Sequence, residues 1–144
     1  VKALSVSSGY AMLIWDGTKT IECRTWQTKH RGELLICSNK DKVPGAIPGR
    51  ALCIVELVNV RPFTKKDLDA AFLPKEAFDK NSFAWELKYK CTVMPIEVRG
   101  KPGLFDVPDE QIQRIDESSM TDAEQDELFN RVFMPLTIGA EHQD

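Results

Sequence analysis

Short apolar runs separated by polar turns dominate the chain, and the period of each run predicts its element. Residues 2–7, containing Ala3-Leu4-Ser5-Val6, alternate as a strand does. Ser8 then stands as an N-cap for a short helix reaching Asp16, and Gly17 occupies the position after the helix where positive φ is often required. Residues 20–26 return to period two. Ile21 and Cys23 point to one face, and Thr20, Glu22, Arg24 and Trp26 to the other. Residues 33–38 form another strand. Ala51–Val60 is apolar on both faces, the mark of a central strand covered on two sides.

The second half is more broken. Thr64 to Phe72 reads as a helix opened by Thr64 and Asp67, with Leu68, Ala71 and Phe72 at helical spacing and Pro74 as its stop. In Phe83–Cys91, Phe83, Trp85, Leu87, Tyr89 and Cys91 alternate with Ala84, Glu86, Lys88 and Lys90, a half-buried strand. A further strand, Ile96–Arg99, leads into the turn Gly100–Gly103. Thr121 and Glu124 make a capping box for a last helix whose apolar stripe is Leu128, Phe129, Val132 and Phe133. Pro135 ends it, and Glu141–Asp144 reads as a frayed end.

About six strands, with helices early, midway and late, predict an α+β fold, a small barrel with flanking helices. At 144 residues, with no internal repeat, the chain suits one domain. Residues 1–108 are expected to form the barrel, and 109–144 an acidic helical extension of the same domain.

Charge divides the chain more than its net −3 suggests. Residues 19–66 hold ten basic and four acidic groups, whereas residues 106–144 hold eleven acidic groups against Arg114 and Arg131. A basic first half can draw phosphates even in an acidic protein. No apolar run reaches the roughly 20 residues of a membrane span. The first residues lack the charged stretch and apolar core of a secretory signal, so the expected location is cytoplasmic, with no membrane partner. Cys23, Cys37, Cys53 and Cys91 are too far apart for a CxxC pair and are expected to be buried and reduced. His30 and His142 are far apart in sequence. No metal-ligand spacing is present, and no metal or other cofactor is expected.

The most informative stretch is Gly17-Thr18-Lys19-Thr20-Ile21-Glu22-Cys23-Arg24. Glu22 and Arg24 share a strand face closely enough to pair, and Lys19 approaches from the loop. Two cations and one anion beside a helix end suit a phosphate or a base edge. A plain surface ion pair with a solvated lysine has the same spacing. Tyr10 and Trp26 offer stacking surfaces or core packing, and Trp15 and Trp85 read as core. Lys29, His30 and Arg31 form a basic turn, in which His30 has no orienting carboxylate to make it a general base.

The order of Leu4-Ser5-Val6, the short helix, Gly17-x-Lys19-x-x-Glu22-x-Arg24, Trp26 and His30-Arg31-Gly32-x-Leu34-Leu35-Ile36 closely resembles the ASCH domain. The name refers to the homology domain of activating signal cointegrator, whose signature is GxKxxExR. Pro48–Leu52, Phe83-Ala84-Trp85 and Pro95–Lys101 carry the resemblance on, over roughly residues 3–107. It implies a PUA-like barrel with a cleft lined by the signature and a nucleic-acid-binding role. The cleft residues would be Lys19, Glu22 and Arg24; Tyr10, Trp26, Lys29 and Arg31 join them on physical grounds. Many relatives carry Gln-Pro-Trp where this chain has Ser8-Gly9-Tyr10, which keeps an aromatic and loses the amide.

Three functions follow as expectations. The first is binding of RNA, single-stranded nucleic acid or a nucleotide-like small molecule through that cleft, by a monomer or weak dimer. The second is hydrolysis of a modified nucleoside or of RNA, as an amidohydrolase or ribonuclease, with Lys19 as base or nucleophile and Glu22 as proton carrier. Small ASCH enzymes that hydrolyse acetylated cytidine resemble this signature but carry Thr where this chain has Glu22. The third is a protein-interaction adaptor working through the acidic tail.

Overall fold

The computed structural model describes residues 1–139. Its strands are β1 (Lys2–Val6), β2 (Ile21–Arg24), β3 (Gly32–Ser38), β4 (Ala51–Pro62), β5 (Phe83–Val93), β6 (Leu104–Asp106) and β7 (Arg114–Ile115). They form one sheet in the order β2-β5-β4-β3-β1-β6, with β7 paired to β5. β1 and β3 run parallel and every other pair is antiparallel. The connection between β1 and β3 carries helix α1 (Ser8–Trp15), as a parallel crossover requires.

The sheet curls into a half-barrel. Although β5, β4 and β3 lie between β2 and β1, Arg24 Nη2 on β2 donates to the carbonyl of Ser5 on β1 at 2.9 Å. The concave side packs Leu4, Val6, Leu34, Ile36, Leu52 and Trp85 against Ala11 and Ile14 of α1 and against Phe133. The opposite side packs Ala3, Leu35, Cys37, Ala51, Ile54 and Val93 under Phe105 and Val107. Residues adjacent along β3 and β4 thus serve different cores, which is why those strands read as apolar on both faces. All four cysteines are free. Burial pushes the Cys37 thiol up to about 12 and raises Cys53 further.

Helix α1 starts at Ser8, one residue earlier than a Ser8 cap implies. Ser7 is the cap residue and makes no side-chain cap bond. The Asn39 amide oxygen accepts the Ser8 N–H instead, at 2.9 Å. Gly17 ends the helix at φ 85°, as its position in the sequence requires.

Three local expectations are corrected. Ile96–Arg99 is not a strand: Glu97 makes a single bridge to Arg50, and Leu104–Asp106 occupies the edge beside β1 instead. Thr64–Phe72 is not a helix but a 3-10 turn at Lys65–Asp67 followed by irregular turns. The reason lies in its carbonyls. Ala70 O accepts from the Thr20 and Ile21 amides and Ala71 O from Lys19 Nζ, so neither continues a helical ladder. Phe72 consequently sits at φ 57° with 51% of its surface exposed. Third, β5 does not alternate inside and outside. Ala84 and Trp85 are both fully buried, because the 63–82 segment covers the face of Ala84 with Phe63, Leu68 and Ala71.

The acidic segment is more than an appendage. Ile115 on β7 pairs with Thr92 and is buried. Thr121 and Glu124 form the expected capping box on α2 (Asp122–Leu128), which continues as a π-helical turn over Phe129–Phe133. Phe133 reaches the main core, Leu128 and Val132 lean on it, and Phe129 stays 37% exposed. The expectation for Glu141–Asp144 lies outside the described residues. Among the described residues, no helix is long and apolar enough to cross a membrane.

Candidate functional site

The turn after α1 delivers Lys19 into β2, whose four residues pair with Phe83–Glu86 of β5. Lys19, Glu22 and Arg24 do converge. Glu22 Oε2 accepts from Arg24 Nε at 3.0 Å and stands 2.9 Å from its Nη2, while Lys19 Nζ stands 3.4 Å from Glu22 Oε1. Their exposure differs from the expected open cleft. The Lys19 side chain is 1% exposed and that of Glu22 8%, against 24% for Arg24. The 70–73 turn closes over Lys19, whose ammonium donates to Ala71 O and lies 4.8 Å from the centre of the Tyr10 ring. Burial lowers the pKa of Lys19, and Glu22 opposes the shift. Only Arg24 of the three carries the cluster's charge to the surface.

Arg24 opens into a cleft of about 450 Å³ between the ends of β1 and β3 and the 98–103 turn, lined also by Ser5, Asn39, Lys40, Arg99 and Lys101. Gly100 forms its wall: a Cβ there would meet Ser5 Oγ at 2.7 Å, so only glycine lets the turn approach β1 this closely. A second hollow of about 580 Å³ shares Lys40 and Arg99 with the first and adds Lys42, Arg50 and Glu97. Six cations therefore line two adjoining hollows against one carboxylate, Glu97, which lies 3.4 Å from Arg50. Low-dielectric walls lined by one sign of charge focus the field on an incoming anion.

Tyr10 faces a different, mostly apolar hollow of about 490 Å³ with Ser7, Leu13, Val43 and Phe72. Ser5 lines the cationic cleft and Ser7, two residues on, lines this one. Trp26 packs edge-on against Trp85, with ring centres 4.8 Å apart, and its carbonyl accepts the Trp85 indole N–H. Lys29 and Arg31 are exposed in the 27–31 turn, outside both cationic hollows, and Arg31 bonds back to the carbonyls of Thr28 and His30. Among the described residues, no three His, Cys, Asp or Glu side chains gather as metal ligands.

The sequence alone does not single out Lys40, Lys42, Arg50, Arg99 or Lys101 for the site. Lys40 and Lys42 enter only as part of a basic half, and Arg50 enters there and within the Pro48–Leu52 stretch that carries the resemblance. Arg99 and Lys101 fall in a stretch, 67–105, whose charges cancel, so a window of net charge hides them. Their spacing around Gly100 was the available signal: two cations flanking a turn glycine.

The solved structures that resemble this one include the crystal structure of ASCH from Zymomonas mobilis. It is 15% identical with a TM-score of 0.60, and the match covers 76% of this chain and 89% of that one. A Tyr-to-Phe variant of the same protein matches at TM-score 0.60 and 15% identity, covering 76% of this chain and 91% of that one. A Ser-to-Ala variant matches at 0.59 and 15%, covering 76% and 89%. At such identity the likeness establishes the fold, the α+β half-barrel of the PUA-like type. A search of curated proteins gave no match. The family model of the ASCH domain matches residues 4–102, from the middle of β1 to the turn that closes the cationic cleft, and the chain belongs to the ASCH domain family.

Proposed function

We propose that this protein binds single-stranded nucleic acid, RNA foremost, laying the phosphate backbone along the two cationic hollows. The observation that carries the reading is the set of six cations, Arg24, Lys40, Lys42, Arg50, Arg99 and Lys101, with Glu97 the one carboxylate in their lining and Glu22 paired to Arg24 from behind. In this reading Arg24 contacts phosphate while Glu22, itself paired with Lys19, holds it from behind. Tyr10 and Phe72 supply apolar surface on which a base stacks. ASCH domains are generally associated with RNA binding, which supports RNA over other polyanions.

Fluorescence anisotropy with a labelled single-stranded 12-mer tests this. A strand neutralised at about four phosphates gives a log–log salt slope of about −3. Lys40, Arg99 and Lys101 are exposed and make no ion pair among the described residues, so replacing all three by Gln leaves the fold intact. That variant should lose about two units of slope. Absence of binding to any RNA or DNA strand at low salt refutes the proposal.

One observation favours a second reading, hydrolysis at Lys19: burial lowers its pKa toward the range where a lysine acts as base or nucleophile. Its ammonium, however, is spent on Ala71 O and Glu22, so chemistry there requires the 70–73 turn to lift. Turnover of acetylated cytidine or RNA that vanishes in Lys19→Met would favour this reading.

A further inference from the structure

A second cavity lies apart from the cationic cleft, where the acidic segment docks on the barrel. Its volume is about 510 Å³, within the range of small-molecule sites. Its walls come from elements distant in sequence: the end of α1, the far half of β5, and the 115–133 segment. None of its lining residues belongs to the signature, and none is Lys, Arg or His.

The chemistry of this cavity is specific. Trp15 forms one wall, with Phe133 at 4.9 Å and Phe129 at 6.1 Å between ring centres, and the two phenyl rings stack on each other at 6.3 Å. Phe129 stays 37% exposed while it stacks on Trp15. The π-helical turn over Phe129–Phe133 keeps both phenyl rings on Trp15. Such turns occur disproportionately at functional sites. The polar floor is built and fixed: Trp15 Nε1 donates to Thr92 Oγ1 at 2.9 Å, and Glu117 Oε1 accepts the Thr92 N–H at 3.0 Å. Asp16, Glu117 and Asp126 supply all the formal charge of the lining.

Aromatic faces are negative, and three carboxylates add to that field, so the cavity favours a cation and repels an anion. The apolar walls need an apolar body to displace their water. We propose that this cavity binds a small organic cation, an amine carried on an aromatic or branched apolar body, with the ring against Trp15 and Phe129 and the charge toward Asp126 and Asp16. The site is independent of the nucleic-acid reading, because no residue of the cationic hollows lines it.

The test uses the full chain and three probes: tryptamine, benzyltrimethylammonium and, as the anionic control that shares tryptamine's indole, indole-3-acetate. Binding is read from the Trp15 indole N–H resonance, assigned by its loss in Trp15→Phe. Both cations should shift that resonance in a saturable way and bind about tenfold more tightly than the carboxylate. Asp16→Asn with Asp126→Asn, both exposed, should bring cation and anion within about threefold of each other. Phe129→Ala should weaken both cations about tenfold. In each variant a single cooperative melt and unchanged oligonucleotide affinity confirm that the rest of the molecule is intact. Equal affinity for the amine and the carboxylate in the wild type overturns the proposal. So does saturable binding that leaves the Trp15 signal unmoved. Failure of both cations, alongside tight binding of a Lys- and Leu-rich peptide, also overturns it and makes the cavity a protein-docking site.

Discussion

Replacing Glu22 by Gln should destabilise this protein far more than replacing Lys19 by Met, although both sit in one buried cluster. Glu22 is the shared anion of two cations, holding Arg24 at 2.9 Å and Lys19 at 3.4 Å. Its removal strands a lysine that is 1% exposed, leaving it only a backbone carbonyl and an aromatic face. Breaking a buried pair from one side costs ~3–5 kcal/mol, because the remaining charge stays desolvated. For a domain of this size that corresponds to a fall in melting temperature of roughly 10–15 °C. Lys19→Met removes the costlier charge and leaves Glu22 bonded to Arg24, so its penalty should stay near 1–2 kcal/mol. The double variant should recover part of the Glu22→Gln loss, since no buried lysine then lacks a partner. A pH dependence follows from the same geometry. The folded-state pKa of Lys19 is lowered, so the unfolded chain binds more protons there, and stability rises with pH until the unfolded lysine has itself lost its proton. Without Glu22 the folded pKa falls further, the window widens downward, and the gap between variant and wild type narrows from pH 7 toward pH 10. Urea denaturation of the three variants at both pH values measures all of this. If Lys19→Met is as damaging as Glu22→Gln, or if the gap widens with pH, the buried cluster is not held by Glu22 and the account fails.

Two further outcomes test the segments on either side of the sheet. Asp67 is held by a bidentate pair with Arg61 at 2.7 and 2.8 Å and by the Thr64 amide, and the Arg61 hydrogen bond leads in lowering its pKa to about 2. The stabilisation is complete above about pH 4 and disappears as pH falls through about 2. Asp67→Asn should therefore cost about 1–2 kcal/mol at pH 7, flatten the acid limb of the stability profile, and raise hydrogen exchange at the Thr20 and Ile21 amides, which bond to Ala70 in that segment. At the other side, Phe133 is 2% exposed in the main core, so Phe133→Ala should cost ~3–5 kcal/mol, and deletion from Ser119 onward should unfold the domain in thermal melts rather than release a soluble barrel.

The elements legible in the sequence were those whose burial is decided within the strand. Ala51–Val60 read as central because both of its faces are apolar, and it lies in the middle of the sheet. Gly17 and the Thr121–Glu124 box were legible because their geometry is fixed within four residues. What was hidden depends on segments that meet only in three dimensions. Period two placed Glu22 on a polar face, and the face is correct. It is closed by a turn about fifty residues away, whose Ala71 carbonyl meets Lys19. The same turn buries Ala84, which broke the expected alternation of β5, and it spends the carbonyls that would have made Thr64–Phe72 a helix. The docking of this one segment on β2 and β5 thus accounts for all three departures.

Arg24 ties fold and candidate site together. Its Nη2 bonds Ser5 O, fastening the free edge of β2 to β1, while its remaining surface faces the cationic cleft. Glu22 neutralises it from the inside, which lowers the cost of placing a guanidinium beside a buried lysine but also weakens its pull on a phosphate. The long-range attraction in the cleft therefore rests on Lys40, Arg99 and Lys101, which make no ion pair among the described residues and are exposed. Arg24 then supplies position rather than net charge. An Arg24→Lys substitution keeps the charge and loses the fork that spans Glu22 and Ser5. It should leave the salt slope of oligonucleotide binding nearly unchanged while lowering the affinity at every salt concentration, the reverse of the pattern expected from removing the three exposed cations.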